Sequence, residues 1–444
     1  MAQRQTSGWG LYPRIAAEVD PVRFPEDLVA LVRRQMPLLA QGNCRSYGDG
    51  CLAPRVASFL PLNHLLAFDA ERGVVHAEAG ITLDKLLRFI VPRGWFLPVT
   101  PGTKFPTLGG CIAADVHGKN HHREGTFGNY VEALDMVLAD GTLLTCSQTE
   151  HRDLFEATVG GMGLTGFIYA ARLRLRPIRS AYIVLRSLRT ESFAETCRVF
   201  AETHDQYPYS VAWVDCLARG AHLGRSIVML GEHEAADAAA PEGSLRVHAR
   251  GALDIPCYLP AWTLNPLTVR AFNAAYYRRH WRRDARARVH YDPFFYPLDI
   301  VTNWNRIYGR SGFLQYQFVV PFRDGEAVMA EVLARIAARG TASFLAVLKT
   351  MGPQSGGMLS FPLPGYTLAL DISRRDAGIV AFLRELNGIV AASGGRNYLA
   401  KDAILERAQF EPMYPRLDEF RAAKRRYDPH CLFRSLQSDR LGLT

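Results

Sequence analysis

Three glycine-rich segments mark where this chain can hold an anion. The first is Gly42-Asn43-Cys44-Arg45-Ser46-Tyr47-Gly48-Asp49-Gly50. The second starts at Pro98-Val99-Thr100-Pro101-Gly102-Thr103 and resumes as Gly109-Gly110-Cys111-Ile112-Ala113-Ala114-Asp115-Val116-His117-Gly118-Lys119-Asn120. The third is Thr158-Val159-Gly160-Gly161-Met162-Gly163-Leu164-Thr165-Gly166. Without a Cβ in the way, backbone N–H groups approach a diphosphate closely. Tight turns explain most glycine loops, so one alone says little. None of the three is a GxxxxGK[ST] loop, and the first strand does not open into a GxGxxG helix, which excludes the P-loop and Rossmann readings. Gln315 and Gln317 alternate with Tyr316 along a strand-like run, so both amides point to one face. There they either hydrogen-bond a ligand or lie on a wet sheet surface. The eight cysteines form no CxxC pair and no metal-ligand spacing, so reduced, mostly buried thiols are expected and no metal.

These residues need elements to hold them, and 444 residues imply two domains. Residues 1–178 read as alternating strands and helices. Val56–Leu60 and Gly73–Glu78 predict strands, and Leu83–Val91 has helical spacing with Thr82 and Asp84 available to cap it. Ala133–Leu138 and Thr142–Thr145 flank Asp140-Gly141, a hairpin signal. Arg172–Arg176 alternates and stops at Pro177. In 179–394, Tyr182–Leu188, Tyr209–Val214, Ser226–Leu230, Phe313–Pro321, Phe344–Lys349 and Tyr366–Ile372 predict strands, with a helix over Glu326–Ala338. That pattern is a mixed or antiparallel sheet covered by helices, an α+β domain. Residues 395–444 are expected to return to the first domain.

The formal charge is +9, and residues 278–288 hold six arginines against one aspartate. Just before them, Ala252 to Tyr277 carries Tyr258, Trp262, Phe272, Tyr276 and Tyr277. Aromatics beside a basic run suit an anionic membrane surface or a lipid phosphate; the bland alternative is a solvated charge run on a helix face. No nucleic-acid motif accompanies the cluster, so no nucleic-acid partner is expected. No apolar run reaches the length of a spanning helix, and the first residues lack the apolar core of a secretory leader. The expectation is a cytoplasmic protein, peripherally associated with the inner membrane.

Taken in order, the three glycine-rich segments resemble the vanillyl-alcohol-oxidase (PCMH) type of FAD-binding domain. The stretches RSYGD, PVTPGT, GTFGN, ATVGGMGLTG, FLQYQF, LKTMGP, YLAKD and MYPR resemble more closely the decaprenylphosphoryl-ribose 2-oxidase family, over about residues 8–442. The resemblance implies a two-domain α+β flavoprotein. Its FAD would lie against Arg45, Ser46, Tyr47, Gly48 and Asp49, against Pro101, Gly102 and Thr103, and against Gly109, Gly110, Cys111, Ile112 and Ala113. His117, Gly118 and Asn120, then Gly125, Thr126, Phe127 and Asn129, would line the flavin, and Gly161, Met162, Gly163, Thr165 and Gly166 would close the adenine side. Asp49 stands where many superfamily members carry the histidine of an RSxGH arrangement that links the flavin covalently, so non-covalent FAD is expected.

By the same resemblance the substrate lies between the flavin and the second domain, touching Trp213, Gln315, Gln317 and Lys349, with His117, Lys119 and Tyr47 on the flavin side. Lys401 is the leading catalytic candidate, with His117 and Tyr47. An ammonium there steadies negative charge, and a desolvated amine can act as a base; the bland reading is a surface lysine paired with Asp402. Lys349 is expected to meet a substrate phosphate. The implied reaction oxidises the 2-hydroxyl of a polyprenyl-phosphoryl ribose to a ketone by hydride transfer, and a separate NAD(P)H-dependent short-chain reductase would complete the epimerisation. A soluble sugar-alcohol or aldonolactone oxidase is the alternative, and a non-enzymatic basic protein with a vestigial flavin fold the third. Ala369 replaces a cysteine, and Phe295 a tyrosine, that actinobacterial members commonly carry, so inhibitors needing that thiol should fail here.

Overall fold

The computed structural model describes residues 3–235, 243–247, 253–260, 263–341 and 343–444. Ala252 and Trp262 of the aromatic stretch lie outside the described residues. Among those described, most strands gather into three sheets. A mixed four-stranded sheet has the order Gln3–Ser7, Arg14–Pro21, Arg55–Ser58, Leu39–Gln41. A five-stranded antiparallel sheet has the order Leu65–Asp69, Val74–Glu78, Phe167–Arg174, Val131–Val137, Leu143–Ser147. The hairpin at Asp140-Gly141 closes through Leu138 N–H to Thr142 C=O, and Gly141 takes φ +86°, where a Cβ is strained. Thr82 caps the Leu83–Ile90 helix by accepting the Lys85 N–H. The first region is thus less regularly alternating than its sequence suggests, and the strand read over Arg172–Arg176 runs instead from Phe167 to Arg174.

The third sheet has eight antiparallel strands in the order Asp284–His290, Tyr182–Thr190, Ser226–His233, Tyr209–Val214, Ala346–Met351, Gly365–Ser373, Phe313–Pro321, Arg396–Asn397. Alternation sorts its side chains into two faces. Leu314, Tyr316, Phe318 and Val320, with Leu348, Leu368, Leu370 and Ile372, pack against the helices Phe193–Thr203, Phe322–Arg339 and Ile379–Ala392. Each such large apolar side chain contributes roughly 1.5–3 kcal/mol by leaving water. That sum fixes the register, because a one-residue slip would drive Gln315, Gln317, Lys349 and Asp371 into this core.

The 278–288 run does not form one helix face. Arg278 and Arg279 end the Pro266–Arg279 helix, and Asp284–His290 is the edge strand of the large sheet. Some of its charge is paired: Arg288 with Glu234 at 2.6 Å, Arg283 with Glu191 at 3.5 Å, and Asp284 with Arg186 at 2.8 Å. The aromatic stretch also divides, since Tyr277 is buried with its hydroxyl donating to Thr190 C=O while Phe272 and Tyr276 face a large cavity. Among the described residues no helix is long and apolar enough to cross a membrane, and no group of His, Cys, Asp and Glu could hold a metal.

Candidate active site

The face of the eight-stranded sheet away from its helices forms one wall of a cavity of about 940 Å³, and the glycine-rich loops form the other. Strand register writes a row across that wall: Trp213 opposite Val347, Val347 opposite Ala369, Ala369 opposite Gln317. The flanking positions pair Lys349 with Thr367 and Gln315 with Asp371. The row therefore passes from aromatic to polar. Trp213 donates from its indole N–H to Phe344 C=O at 3.0 Å and packs on Tyr276 with ring centroids 4.7 Å apart. Phe272, Tyr276, Phe344 and Leu345 continue this apolar end.

At the polar end, loop residue His117 meets two side chains more than two hundred positions away or close to it. Lys349 Nζ lies 3.0 Å from His117 Nδ1 and donates to Gly118 C=O at 3.2 Å, and Gln317 Nε2 lies 3.0 Å from His117 Nε2. A neutral imidazole has one N–H, so one ring nitrogen donates and the other accepts. Burial, then the charge of Lys349, holds His117 well below the usual histidine range, so the ring stays neutral. Burial also lowers Lys349 to about 7, helped by the charges of Lys119 and Lys401, and lowers Lys119 to about 8.

Lys401 sits in the short turn Leu399–Lys401 with Nζ 3.9 Å from the centre of the Tyr47 ring. Burial pushes its ammonium down, and the charge of Asp371 pulls it back up. Asp402 is not its partner: Arg440 takes Asp402 at 2.8 Å and Asp49 at 2.7 Å, bracing the two loops behind the wall. Tyr47 is buried and held far above its usual pKa, so its phenol keeps its proton.

Of the residues singled out in sequence, Arg45, Ser46, Tyr47, Pro101, Gly102, Thr103, Gly109, Gly110, Ala113, His117, Gly118, Lys119, Met162, Gly163 and Gly166 line the cavity, as do Trp213, Gln315, Gln317, Lys349 and Lys401. The others stand behind the wall. A Cβ on Gly48 would lie 1.5 Å from Asp402 C=O, and one on Gly161 would lie 1.9 Å from Ala157 C=O, so these glycines permit close backbone approach. Asp49 is committed to Arg440, Asn120 donates to Pro98 C=O at 2.7 Å, and Thr165 pairs with Thr158 at 2.8 Å. Cys111, Ile112 and Phe127 are core residues, while Gly125, Thr126 and Asn129 shape the turn beside His117. Ala369 is in the wall; Phe295 is behind it, and its carbonyl accepts from Lys119 at 3.3 Å.

A sequence profile described as an FAD binding domain matches residues 24–147, and one for D-arabinono-1,4-lactone oxidase matches residues 371–441. The chain is 35% identical to the decaprenylphosphoryl-beta-D-ribose oxidase of Mycolicibacterium smegmatis, over 99% of this chain and 98% of that protein. The chain belongs to the decaprenylphosphoryl-beta-D-ribose oxidase family. An uncharacterised Streptomyces coelicolor protein is 34% identical over 82% of this chain and all of its own length. Human Delta(24)-sterol reductase is 29% identical over 38% of this chain and 32% of its own.

This member of the decaprenylphosphoryl-beta-D-ribose oxidase family is an FAD-dependent oxidoreductase of the two-domain α+β type. Its cavity fits that cofactor. The Arg45 guanidinium lines the wall between Trp9 at 4.0 Å and Phe105 at 5.2 Å, and its buried Nε has no partner, a vacancy an anionic diphosphate can fill. A Cβ on Gly102 would meet nothing within 4 Å, so its backbone lies open to the cavity.

Sequence reading missed two acids of this site. Asp299 faces the cavity, accepts the Lys104 N–H at 2.8 Å, and is raised by burial to about 6. Asp371 is fully buried beside Gln315. Its signal was available: in Thr367-Leu368-Ala369-Leu370-Asp371 it shares the face of Ala369, although nothing local says that face lines a cavity.

Proposed function

We propose that the protein oxidises the 2-hydroxyl of a polyprenyl-phosphoryl ribose to the 2-keto sugar. One observation carries this reading: Lys119, Lys349 and Lys401 converge on a cavity whose far end is aromatic and apolar. Buried ammonium groups in excess of carboxylates favour an anionic ligand, and the apolar end suits the first units of a lipid. When bound, FAD supplies a hydride acceptor. The chain's own residues then orient the sugar through Gln315 and Gln317, bind the phosphate through Lys349 and Lys119, and place Lys401 against developing charge on the substrate oxygen. Tyr47 keeps its proton, so the phenolate is not the group that takes the hydroxyl proton.

Further parts of the proposal rest on the same frame. FAD is held without a covalent bond, because Asp49 occupies the position of the linking histidine. Arg278, Arg279, Arg282 and Arg286 make no ion pair among the described residues, and Trp281 nearby is 71% exposed, which supports docking on the anionic face of the inner membrane from the cytoplasm. The keto product would pass to an NAD(P)H-dependent short-chain reductase.

A soluble aldonolactone or sugar-alcohol oxidase is the second reading, favoured by the lactone-oxidase profile over residues 371–441. Anaerobic mixing of the yellow holoprotein with polyprenyl-phosphoribose, free sugars and aldonolactones separates the two. Bleaching at 450 nm by the lipid-linked sugar alone is expected (a wavelength of the flavin itself, roughly). Bleaching by lactones or free sugars, with none by the phosphoribose, would overturn the proposal.

A further inference from the structure

Asp371 is a buried carboxylate behind the cavity wall, and the oxidation itself gives it no role. Asp371 is 0% exposed, and one oxygen accepts from Gln315 Nε2 at 2.5 Å. Its other oxygen, Oδ2, is buried without a partner. An unpaired buried carboxylate oxygen is costly and persists when something compensates its charge. Gln315 and Tyr47 both line the cavity, and Lys401 lies over the face of the Tyr47 ring. The Asp371–Gln315 pair on the sheet and the Tyr47–Lys401 pair on the loops thus belong to the walls of one cavity.

The charges around it are few. Among the described residues Asp371 is the carboxylate whose charge holds the Lys401 ammonium up, while His117 and Lys349 both feel the Lys401 charge as repulsion. Asp371 itself faces Lys401, Gln315 and the phenols of Tyr47 and Tyr308. Desolvation of Lys401 favours the neutral amine, and the charge of Asp371 opposes it.

We infer that Asp371 is a positioning residue: through its charge and through Gln315 it keeps Lys401 an ammonium, aimed at the substrate oxygen. This rests on the alcohol-oxidation reading given above, and it names the regulation of that site's one decisive charge. Because Asp371 is sealed from the cavity, it acts on the substrate only through Lys401.

The test is Asp371→Asn in the holoprotein, with competitive labelling of lysines by trace acetic anhydride across pH, read by peptide mass spectrometry. Removing the carboxylate should lower the labelling midpoint of Lys401 by about one pH unit or more, leaving Lys119 unmoved. The high-pH limb of kcat should move down by the same amount, with kcat at neutral pH falling about tenfold and KM changing little. Asp371→Glu should restore the limb in part. If Asp371→Asn fails to fold, Gln315→Met serves instead. It leaves the carboxylate without its amide, favours its protonated form, and should lower the Lys401 midpoint in the same direction. A Lys401 midpoint that stays put in the variant tested would overturn the inference, even if turnover falls. A shifted midpoint in a protein that oxidises no sugar phosphate would uphold it and sink the substrate reading alone.

Discussion

The lysines of the cavity and the arginines of residues 278–288 are both clusters of like charge, and they behave as opposites. Lys119 and Lys349 are drawn down to about 8 and about 7 because the wall strips their water away. The arginines stay in solvent, where a guanidinium holds its charge and a pair with Glu191 or Glu234 is worth little, about 0–1 kcal/mol. Burial, more than residue count, decides whether a cluster does chemistry or only meets a surface.

Four measurements break or sharpen that contrast. Lys401→Ala should cost turnover most, about a hundredfold or more, while the protein keeps its flavin colour and thermal midpoint; wild-type turnover would remove Lys401 from the reaction. Lys349→Met should raise KM for a sugar phosphate roughly tenfold to a hundredfold, the value of one charged hydrogen bond, and barely alter binding of an unphosphorylated sugar. Reversing Arg278, Arg279 and Arg282 to Glu should weaken sedimentation with anionic liposomes about tenfold or more, without touching turnover of a water-soluble substrate. Equal liposome binding would place the membrane contact elsewhere.

The smallest effect is on stability. The folded pKa values of Lys119 and Lys349 lie below the ordinary 10.5, so between about 7 and 10.5 the unfolded chain binds more protons than the folded one. Stability of the flavin-free protein should therefore rise with pH through that window, by a few degrees of thermal midpoint. Lys349→Met should flatten the slope; an unchanged slope would mean the ammonium is solvated.

Elements with a strong local period were the legible ones. Phe313–Pro321 and Tyr209–Val214 have the bounds read from sequence, and Asp140-Gly141 turns where its φ requirement puts it. The Asp284–His290 edge strand keeps a two-residue polar–apolar alternation, but its arginines stand out first as a charge cluster, which drew attention away from that period. Phe272 and Tyr276 were read as membrane-facing, yet the packing of their helix directs them to the cavity wall.

The sequence by itself determined the glycine-rich loops, the strand that carries Gln315 and Gln317, and a full-length family likeness. Those are local or linear properties, set by side-chain size, alternation and order. Only the tertiary structure decided that His117 sits between Lys349 and Gln317, that Gly48 and Asp49 brace rather than line, and that Asp371 is buried against Gln315. Strand register and the meeting of distant loops make those neighbours. Both are fixed by the apolar core on the far side of the sheet, whose residues have no chemistry of their own.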